Sequence, residues 1–327
     1  MTYHGLIADI GATNARFALA DDDGFHHVQV LKCEDFENIA DAAEHYLHDT
    51  GTKNVIKGAS VAIAGPVKGD EFKMTNHPWV FSVSRTKARL NLDFLHMMND
   101  FEAVALSIPH LKADDDYRQI GEGKTAPRAP IGIIGPGTGL GVASLAWDGC
   151  QYRALPGEGG HVTMPAKTQR EFDVFQWLIT DKYHHISAER VCSGKGLYNV
   201  YRALRGLDKL EDVIPMREPE EISKAALSGE CKTCVEALDM MCGFLGNVAG
   251  NLALTLGAFG GIYIAGGIPA KLGDYFDQSR FRDEFLSKGR FADYLAAVPT
   301  NLITNEYPAF VGLHADLIKS TASRKAA

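Results

Sequence analysis

Residues 6–20, LIADIGATNARFALA, consist of two apolar runs separated by a short turn of small and polar residues. Apolar runs of this length around glycine, threonine and asparagine are typical of two β-strands joined by a hairpin turn. The turn contains Gly11, Thr13 and Asn14, and Asp9 stands near the end of the first run. Such a turn can direct backbone N–H groups and hydroxyls at a phosphate, but the same residues dominate ordinary hairpin turns. Both interpretations stay open at this point.

The same arrangement returns about 125 residues later along the chain. Residues 130–149, PIGIIGPGTGLGVASLAWDG, again place a glycine-threonine turn, Gly137 to Gly139, between two apolar runs. Two similar hairpins predict two related halves, each offering one turn to a common cleft. Neither hairpin contains the spacing of a Walker loop or of the dinucleotide-binding G-x-G-x-x-G motif. A Rossmann-type dinucleotide fold is therefore not predicted.

The composition is that of a globular enzyme with two domains. The chain has 327 residues, of which 46% are hydrophobic and 23% are charged. Its formal net charge is −8, with 41 Asp and Glu against 33 Lys and Arg, and this excess of negative charge argues against nucleic acid as a partner. The N-terminus lacks the pattern of a secretory signal, so we expect a cytoplasmic protein with free thiols. The lone pair Cys231 and Cys234 has no second pair for zinc and is expected at a helix start.

One stretch is long enough to cross a membrane. Residues 240–270 carry no charge. They do contain Asn247, Asn251, Thr255 and many glycines, which favour a buried helix followed by a central strand. We therefore expect no association with a membrane. Four glycines of the predicted helix share one face on which another backbone can approach closely, namely Gly243, Gly246, Gly250 and Gly257.

Several polar residues lie among apolar ones in the sequence and are candidates for catalysis or ligand binding. Asn99 and Asp100 end an apolar strand before a helix, where they serve either as a helix cap or as ligand-binding groups at a sheet edge. Glu158 and His161 lie in a glycine-rich loop that lets a ligand approach. Glu189 is either an acid in the first turn of a helix or a further site residue. From the residues alone, these alternatives remain open.

The motifs together, and their order, resemble the bacterial glucokinases of the hexokinase-like group. The matching segments are ADIGATNARFAL, VAIAGPV, TNHPW, MNDFEAVA, GPGTGLG, PGEGGH, SAERVCSG and IAGGI. The resemblance implies an α/β, two-domain, actin-like ATPase (ribonuclease H-like) fold with a cleft between its lobes. We expect a small α/β domain over 1–111 that also includes a C-terminal helix at about 307–327. A large α+β domain is expected over 112–306.

The resemblance also implies a role for each matching residue. For the nucleotide, it implies a first phosphate loop at Gly11, Ala12, Thr13 and Asn14, with Asp9 as the magnesium ligand. It implies a second phosphate loop at Gly137, Thr138 and Gly139. The pair Gly266 and Gly267 is implied to lie on the adenosine side. For the sugar, it implies hydroxyl ligands at Asn99, Asp100, Glu158, His161, Glu189 and Asn76, with Asp100 as the catalytic base.

Two departures from the family pattern bear on these expectations. Ala12 stands where the first loop usually has a second glycine, and its methyl group disfavours a positive φ. The segment after His161, HVTMPAKTQREFD, has no cysteine, unlike the zinc loop of the related repressor-and-kinase group. No zinc is therefore expected, and the zinc-free branch is favoured.

The activity implied by the resemblance is ATP-dependent phosphorylation of D-glucose at O6, with Mg²⁺, to give glucose 6-phosphate for glycolysis. The resemblance also suggests a homodimer. A kinase for mannose, fructose or an N-acetylhexosamine is the alternative, and polyphosphate is the alternative donor. A sugar-sensing repressor of the same fold is not expected, because the first strand begins at about residue 5 and leaves no room for a DNA-binding module.

Overall fold

The computed structural model describes residues 3–65, 67, 69–74 and 77–325. The chain forms two compact units. The N-terminal unit comprises Met1–Lys112 together with Asn305–Ala327, and the C-terminal unit comprises Ala113–Thr304. Asn76, one of the predicted sugar-binding residues, lies outside the described residues.

The strands and helices, in chain order, have the following bounds. Up to the middle of the chain they are β1 (Gly5–Ile10), β2 (Asn14–Asp21), β3 (Gly24–Lys32), α1 (Ile39–Asp49), β4 (Gly58–Ile63), β5 (Glu71–Lys73), β6 (Val80–Ser82), α2 (Val83–Arg89), β7 (Phe94–Asn99), α3 (Asp100–Ser107), β8 (Tyr117–Ile120), β9 (Ile131–Pro136), β10 (Leu140–Trp147) and β11 (Tyr152–Gly157). The remainder are α4 (Gln169–Asp181), α5 (Gly194–Leu207), α6 (Pro219–Leu227), α7 (Lys232–Leu256), β12 (Gly261–Ile264), α8 (Gly267–Leu272), α9 (Asp274–Gln278), α10 (Phe281–Leu286), α11 (Ala292–Ala296), β13 (Thr300–Ile303) and α12 (Pro308–Lys325).

The sheets of the two units share one strand order. In the N-terminal unit the order is β3-β2-β1-β4-β7, in which β1 pairs antiparallel with β2 and parallel with β4. In the C-terminal unit the order is β11-β10-β9-β12-β13-β8, and β9 pairs antiparallel with β10 and parallel with β12. Compared with the N-terminal sheet, the C-terminal sheet has one additional outer strand, β8, which pairs antiparallel with β13. The repeat predicted from the two hairpins is therefore confirmed.

The register of the N-terminal sheet decides which loops are neighbours. Ile10 at the end of β1 pairs with Ile63 at the end of β4, and Ile63 pairs with Asn99 at the end of β7. The carboxyl ends of these three parallel strands therefore lie at one edge of the sheet. In the C-terminal unit, Ile264 of β12 pairs with Ile134 of β9, so the loops that follow these two strands are also neighbours.

Helix α12 completes the N-terminal unit, although it comes last in the chain. It packs against α3 and against β4 and β1. Its apolar face buries Phe310, Leu313 and Leu317 in a cluster with Ile7 of β1 and Met98 of β7. The helix thus covers one face of the sheet, which would otherwise expose apolar side chains to water.

Helix α7 is the predicted buried helix. Among the described residues, α7 is the one helix that is long and apolar enough to cross a membrane. Of its most apolar stretch of 18 residues, 78% is buried inside the protein. Gly246 and Gly250 admit the backbone of α10, because a Cβ atom at either position would lie 2.0 or 2.6 Å from the carbonyl oxygens of Phe281 and Phe285. The interpretation of Gly257 as a member of this face was wrong, because Gly257 instead ends the helix with a φ of 61°.

The cysteines agree with the prediction of free thiols. All six are unpaired. Cys231 caps the start of α7, where its Sγ accepts a hydrogen bond from the backbone N–H of Cys234 at 3.4 Å. Burial raises the pKa of the Cys234 thiol to about 12, so this thiol stays protonated at neutral pH. The pair is therefore a structural helix start.

Candidate functional site

The first glycine-threonine turn joins β1 to β2 and is held by backbone hydrogen bonds. The Gly11 N–H donates to the Asn14 carbonyl at 2.9 Å, and the Cys33 N–H donates to the Thr13 carbonyl at 2.9 Å. Thr13 is the exposed member of the turn. Ala12 does not adopt a positive φ, so its methyl group causes no backbone strain here. The turn is a fixed loop with a hydroxyl side chain at its surface.

Asp9 is the second-last residue of β1, separated from this turn by Ile10, and pairs in the sheet with Arg16. Its side chain is 23% exposed, and its Oδ2 lies 3.4 Å from Nη1 of Arg16. Burial raises the pKa of the Asp9 carboxyl, whereas the Arg16 guanidinium opposes the rise. A cation beside this carboxylate would favour its ionised form for the same electrostatic reason.

Magnesium fits Asp9 by its chemistry. Mg²⁺ in nucleotide sites usually keeps several waters and binds one or two carboxylates together with phosphate oxygens. A single, partly exposed carboxylate next to a phosphate-type turn is such an arrangement. Within the described parts of the chain, no group of three or more His, Cys, Asp or Glu side chains could hold a metal without phosphate oxygens.

Asn99 and Asp100 stand at the same sheet edge as the first turn. Asn99 caps α3, since its Oδ1 accepts the Phe101 N–H at 2.9 Å and its Nδ2 donates to the Gly65 carbonyl at 3.1 Å. Asp100 also accepts the Phe101 N–H, at 2.9 Å, and remains partly exposed. The capping interpretation is therefore correct for Asn99. This cap fixes the position of Asp100 at the carboxyl end of β7.

The second turn, Gly137 to Gly139, joins β9 to β10. The Gly137 N–H donates to the Gly139 carbonyl at 2.8 Å, and the Gly137 carbonyl accepts the Gly194 N–H at 2.9 Å. Gly266 lies close by, because a Cβ atom there would lie 2.4 Å from the carbonyl oxygen of Pro136. Its φ of +88° also requires glycine. The structure thus brings the predicted second phosphate loop and the predicted adenosine-side pair together.

A cavity of about 770 Å³ opens beside the second turn. Gly137 and Thr138 contribute to its lining, and the rest comes from α5, α6 and α8. Its apolar lining includes Leu197, Leu227 and Ile268. The volume is in the range of sites for small organic ligands.

Charged residues of this cavity were missed from the sequence. The cavity is also lined by Lys195, Lys224, Lys271 and Glu220. Glu220 and Lys224 are four residues apart on α6, whereas Lys195 and Lys271 come from α5 and α8, so no single sequence motif contains all four. Only the position of Lys195, two residues after the Ser193 cap of α5, could have pointed to it.

The predicted sugar-binding residues of the C-terminal unit lie on two adjoining segments. Residues 158–164 and 186–190 run side by side, joined by the bonds from Met164 N–H to the Ile186 carbonyl and from Ala188 N–H to the Val162 carbonyl, each 2.9 Å long. On the first segment, Nε2 of His161 lies 3.8 Å from Oε2 of Glu158. Both side chains are more than half exposed.

Glycine lets the Glu158–His161 segment approach β10. A Cβ atom at Gly160 would lie 2.0 Å from the Leu140 carbonyl oxygen. Glu189, from the second segment, reaches the other side of the same residue, because its Oε2 accepts the Leu140 N–H at 3.0 Å. Leu140 directly follows the second turn, so the predicted sugar-binding residues of this unit adjoin its predicted phosphate loop. The sequence did not predict the bond between Glu189 and Leu140.

Comparisons with known proteins identify the family of this chain. The sequence matches the glucokinase family over residues 6–319. It is 46% identical over 314 residues to a glucokinase from Aromatoleum aromaticum (strain DSM 19018 / LMG 30748 / EbN1), covering 95% of this chain and 93% of that protein. A glucokinase from Neisseria gonorrhoeae (strain ATCC 700825 / FA 1090) is 44% identical over 316 residues, covering 96% of this chain and 95% of that protein.

Solved structures give the same result for the fold. A glucokinase from an Antarctic psychrotroph superposes with a TM-score of 0.84 at 34% identity, covering 96% of this chain and 98% of that one. A ROK family glucokinase from Streptomyces griseus, solved with glucose and AMPPNP, has a TM-score of 0.65 at 16% identity and shares the fold, over 96% of this chain and 99% of that one. The predicted actin-like sugar-kinase fold is confirmed, and the chain belongs to the glucokinase family.

Proposed function

We propose that this chain transfers the γ-phosphoryl group of ATP to O6 of D-glucose, giving glucose 6-phosphate. One observation supports this most strongly: each unit carries a glycine-threonine turn at the same place in an equivalent sheet. Predicted sugar-binding residues share a sheet edge with the first turn and adjoin the second. Family membership supports the choice of ATP and glucose. The family resemblance is the support for proposing that groups from both units act on the same pair of substrates.

Asp100 is the proposed general base. A carboxylate at the end of a parallel strand is well placed to accept the proton of a primary hydroxyl as that oxygen attacks phosphorus. The Asn99 cap fixes the backbone before Asp100, which limits the positions that its carboxylate can take. Phosphoryl transfer depends mainly on such alignment and on charge stabilisation.

The sugar would be held by fixed donors and acceptors. Glu158 and Glu189 can each accept from a hydroxyl, and His161 can donate or accept. Asn99 retains donor capacity beyond its bond to the Gly65 carbonyl. Asn76 is proposed for the same role from the family resemblance. Such a set distinguishes a sugar from water because each hydroxyl needs a partner in a set direction.

The nucleotide would be bound by both turns and by the cavity. The residues of the first turn, Gly11 to Asn14, and of the second, Gly137 to Gly139, would contact the phosphates through backbone N–H groups and the two threonine hydroxyls. The 770 Å³ cavity, whose lining includes Ile268, the residue after the pair Gly266 and Gly267, would take the adenosine. Mg²⁺ bound through Asp9 would screen the charge of the phosphate oxygens when present.

We also propose a cytoplasmic homodimer whose product enters glycolysis. Family resemblance supports these points. Size-exclusion chromatography with light scattering tests the dimer directly, because a dimer of a 35.6 kDa chain elutes at twice that mass.

A coupled assay over a panel of hexoses tests the proposed reaction. Glucose, mannose, fructose and N-acetylglucosamine are each offered with ATP and Mg²⁺, and glucose is also offered with polyphosphate. We expect the highest kcat/KM for glucose with ATP. A higher value for another hexose, or for polyphosphate, would contradict the proposal.

A further inference from the structure

The carboxylate of Glu189 is bonded to the phosphate-type loop of its own unit. Its Oε2 accepts the backbone N–H of Leu140, the residue that follows Gly139. A Cβ atom on residue 139 would lie only 2.5 Å from this oxygen, so glycine is needed there for the carboxylate to reach the loop. The family resemblance gives Glu189 a contact to the sugar and says nothing of this bond.

The segment that begins with Glu189 also holds the start of the loop. The Gly194 N–H donates to the carbonyl of Gly137 at 2.9 Å. Between these two bonds, the Ser193 hydroxyl donates to the Glu189 carbonyl at 2.8 Å and accepts the Gly196 N–H at 2.9 Å, which caps α5. Residues 189–194 therefore clamp the Gly137–Gly139 turn at both of its ends.

One oxygen of the same carboxylate is available for a ligand. Among the described residues, the side chain of Glu189 forms its hydrogen bond through Oε2, and no protein donor bonds Oε1. Glu189 is only partly buried, so a sugar hydroxyl can reach it. The carboxylate can hold the loop and accept from a sugar at once, because an ionised carboxylate has about four acceptor positions.

We infer that Glu189 is a positioning residue for the second phosphate loop as well as a sugar ligand. This inference rests on the proposed function. Losing the acceptor for the Leu140 N–H frees one end of the loop, so the loop no longer presents a fixed set of donors to the nucleotide phosphates. Nucleotide affinity should therefore depend on Glu189 even when no sugar is present.

Two substitutions separate the reach of this side chain from its charge. Glu189→Asp keeps the charge but is one methylene shorter, so it cannot reach the Leu140 N–H. Glu189→Gln keeps an oxygen at the same distance but loses the charge. Calorimetric titration with ADP and Mg²⁺, without sugar, should show Kd raised about tenfold or more in Glu189→Asp and within about threefold of wild type in Glu189→Gln.

Glu122→Asp is the matched control, at a residue outside the proposed nucleotide and sugar sites. It shortens an exposed carboxylate of the same unit that accepts no hydrogen bond from the loop among the described residues, so its Kd for ADP should equal that of wild type. Gly139→Ala is the second test, since the added methyl would displace the Glu189 carboxylate. It should weaken ADP as Glu189→Asp does. It keeps the inference testable if Glu189→Asp fails to fold, which circular dichroism would show.

The outcomes are separable. An ADP affinity of Glu189→Asp within about threefold of wild type overturns the inference, as does an equal loss in Glu189→Asp and Glu189→Gln. A wild-type protein that neither binds ADP nor phosphorylates glucose would instead contradict the proposed function.

Discussion

Asp100 illustrates how one residue combines a structural and a chemical role. Its carboxylate accepts the Phe101 N–H in the first turn of α3, and an asparagine side chain can accept the same bond. Asp100→Asn should therefore preserve the fold while removing the base. We expect kcat to fall by about 10²–10⁴-fold with little change in KM for glucose or ATP, as measured by steady-state kinetics.

Glu102→Gln is the matched control for this prediction. Glu102 is a second acid in the first turn of α3, and burial raises the pKa of its carboxyl. Because Glu102 has no place in the proposed chemistry, kcat of this variant should stay within a few-fold of wild type. Asp100 is not the base if Asp100→Asn retains wild-type kcat.

At the scale of the elements, α7 depends on glycine where α10 crosses it. In Gly246→Ala the new methyl would lie 2.0 Å from the carbonyl oxygen of Phe281, and a backbone atom cannot easily move aside. Overpacking of this kind costs about 1–3 kcal/mol. Thermal or urea unfolding should show this loss.

Gly243→Ala on the same helix face is the control for the overpacking. There the atom nearest to the new methyl would be a flexible side-chain carbon of Glu284, at 3.3 Å. Alanine also has the higher helix propensity, by about 1 kcal/mol. We expect Gly243→Ala to be neutral or stabilising, and equal losses in the two variants would contradict the role given to Gly246.

A histidine–aspartate pair ties α12 to the sheet of the N-terminal unit. Asp316 of α12 accepts from Ser60 of β4 at 2.7 Å and bonds Nδ1 of His96 of β7 at 2.8 Å. The hydrogen bond and charge of Asp316 raise the pKa of His96 above its usual 6.5, and Glu102 adds to the rise, whereas burial and Lys319 oppose it.

This tie should depend on pH with a defined sign. Because the pKa of His96 is raised in the folded state, the stabilisation is fully present below pH 6.5 and is lost as pH rises through the raised value. His96→Gln should therefore lower the melting temperature more near pH 6 than near pH 9. A difference between wild type and variant that grows with pH would refute this assignment.

Periodicity and turn chemistry predicted the longer elements because those signals are local. The two strands expected within residues 6–20 are Gly5–Ile10 and Asn14–Asp21. The strands β5 and β6 have three residues each, which is too short to show the period of 2 of a strand. The helices α8 to α11 have five or six residues each, which is too short to show the period of 3.6 of a helix. These elements were not predicted.

The candidate site likewise has a part that follows from local sequence and a part that does not. Its proposed members follow from residue types and their order, since the motifs are short and local. The bond from the Leu140 N–H to Glu189 spans 49 positions, and the lysines of the cavity come from three helices. Contacts of this kind are decided by tertiary packing, which no local pattern contains.

At the scale of the whole molecule, the chain leaves the N-terminal unit at Lys112 and returns to it at Asn305. The C-terminal unit is thus one continuous segment with its own core, whereas the N-terminal unit needs both ends of the chain. A defect in α12 should therefore destabilise the N-terminal unit first. Leu317 is suited to a test, because its side chain is fully buried between α12 and the sheet.

Leu317→Ala should destabilise the N-terminal unit by about 2–5 kcal/mol, through lost burial and the cavity left behind. Hydrogen exchange followed by mass spectrometry should show faster exchange in β1, β4 and α3, with little change in Ala113–Thr304. Ser323→Ala is the control on the same helix, since its exposed hydroxyl bonds only the carbonyl of Lys319 among the described residues, and its exchange should match wild type. Equal acceleration of both units in Leu317→Ala would mean that the molecule unfolds as one cooperative body, and the two units would then be divisions of packing without separate stability.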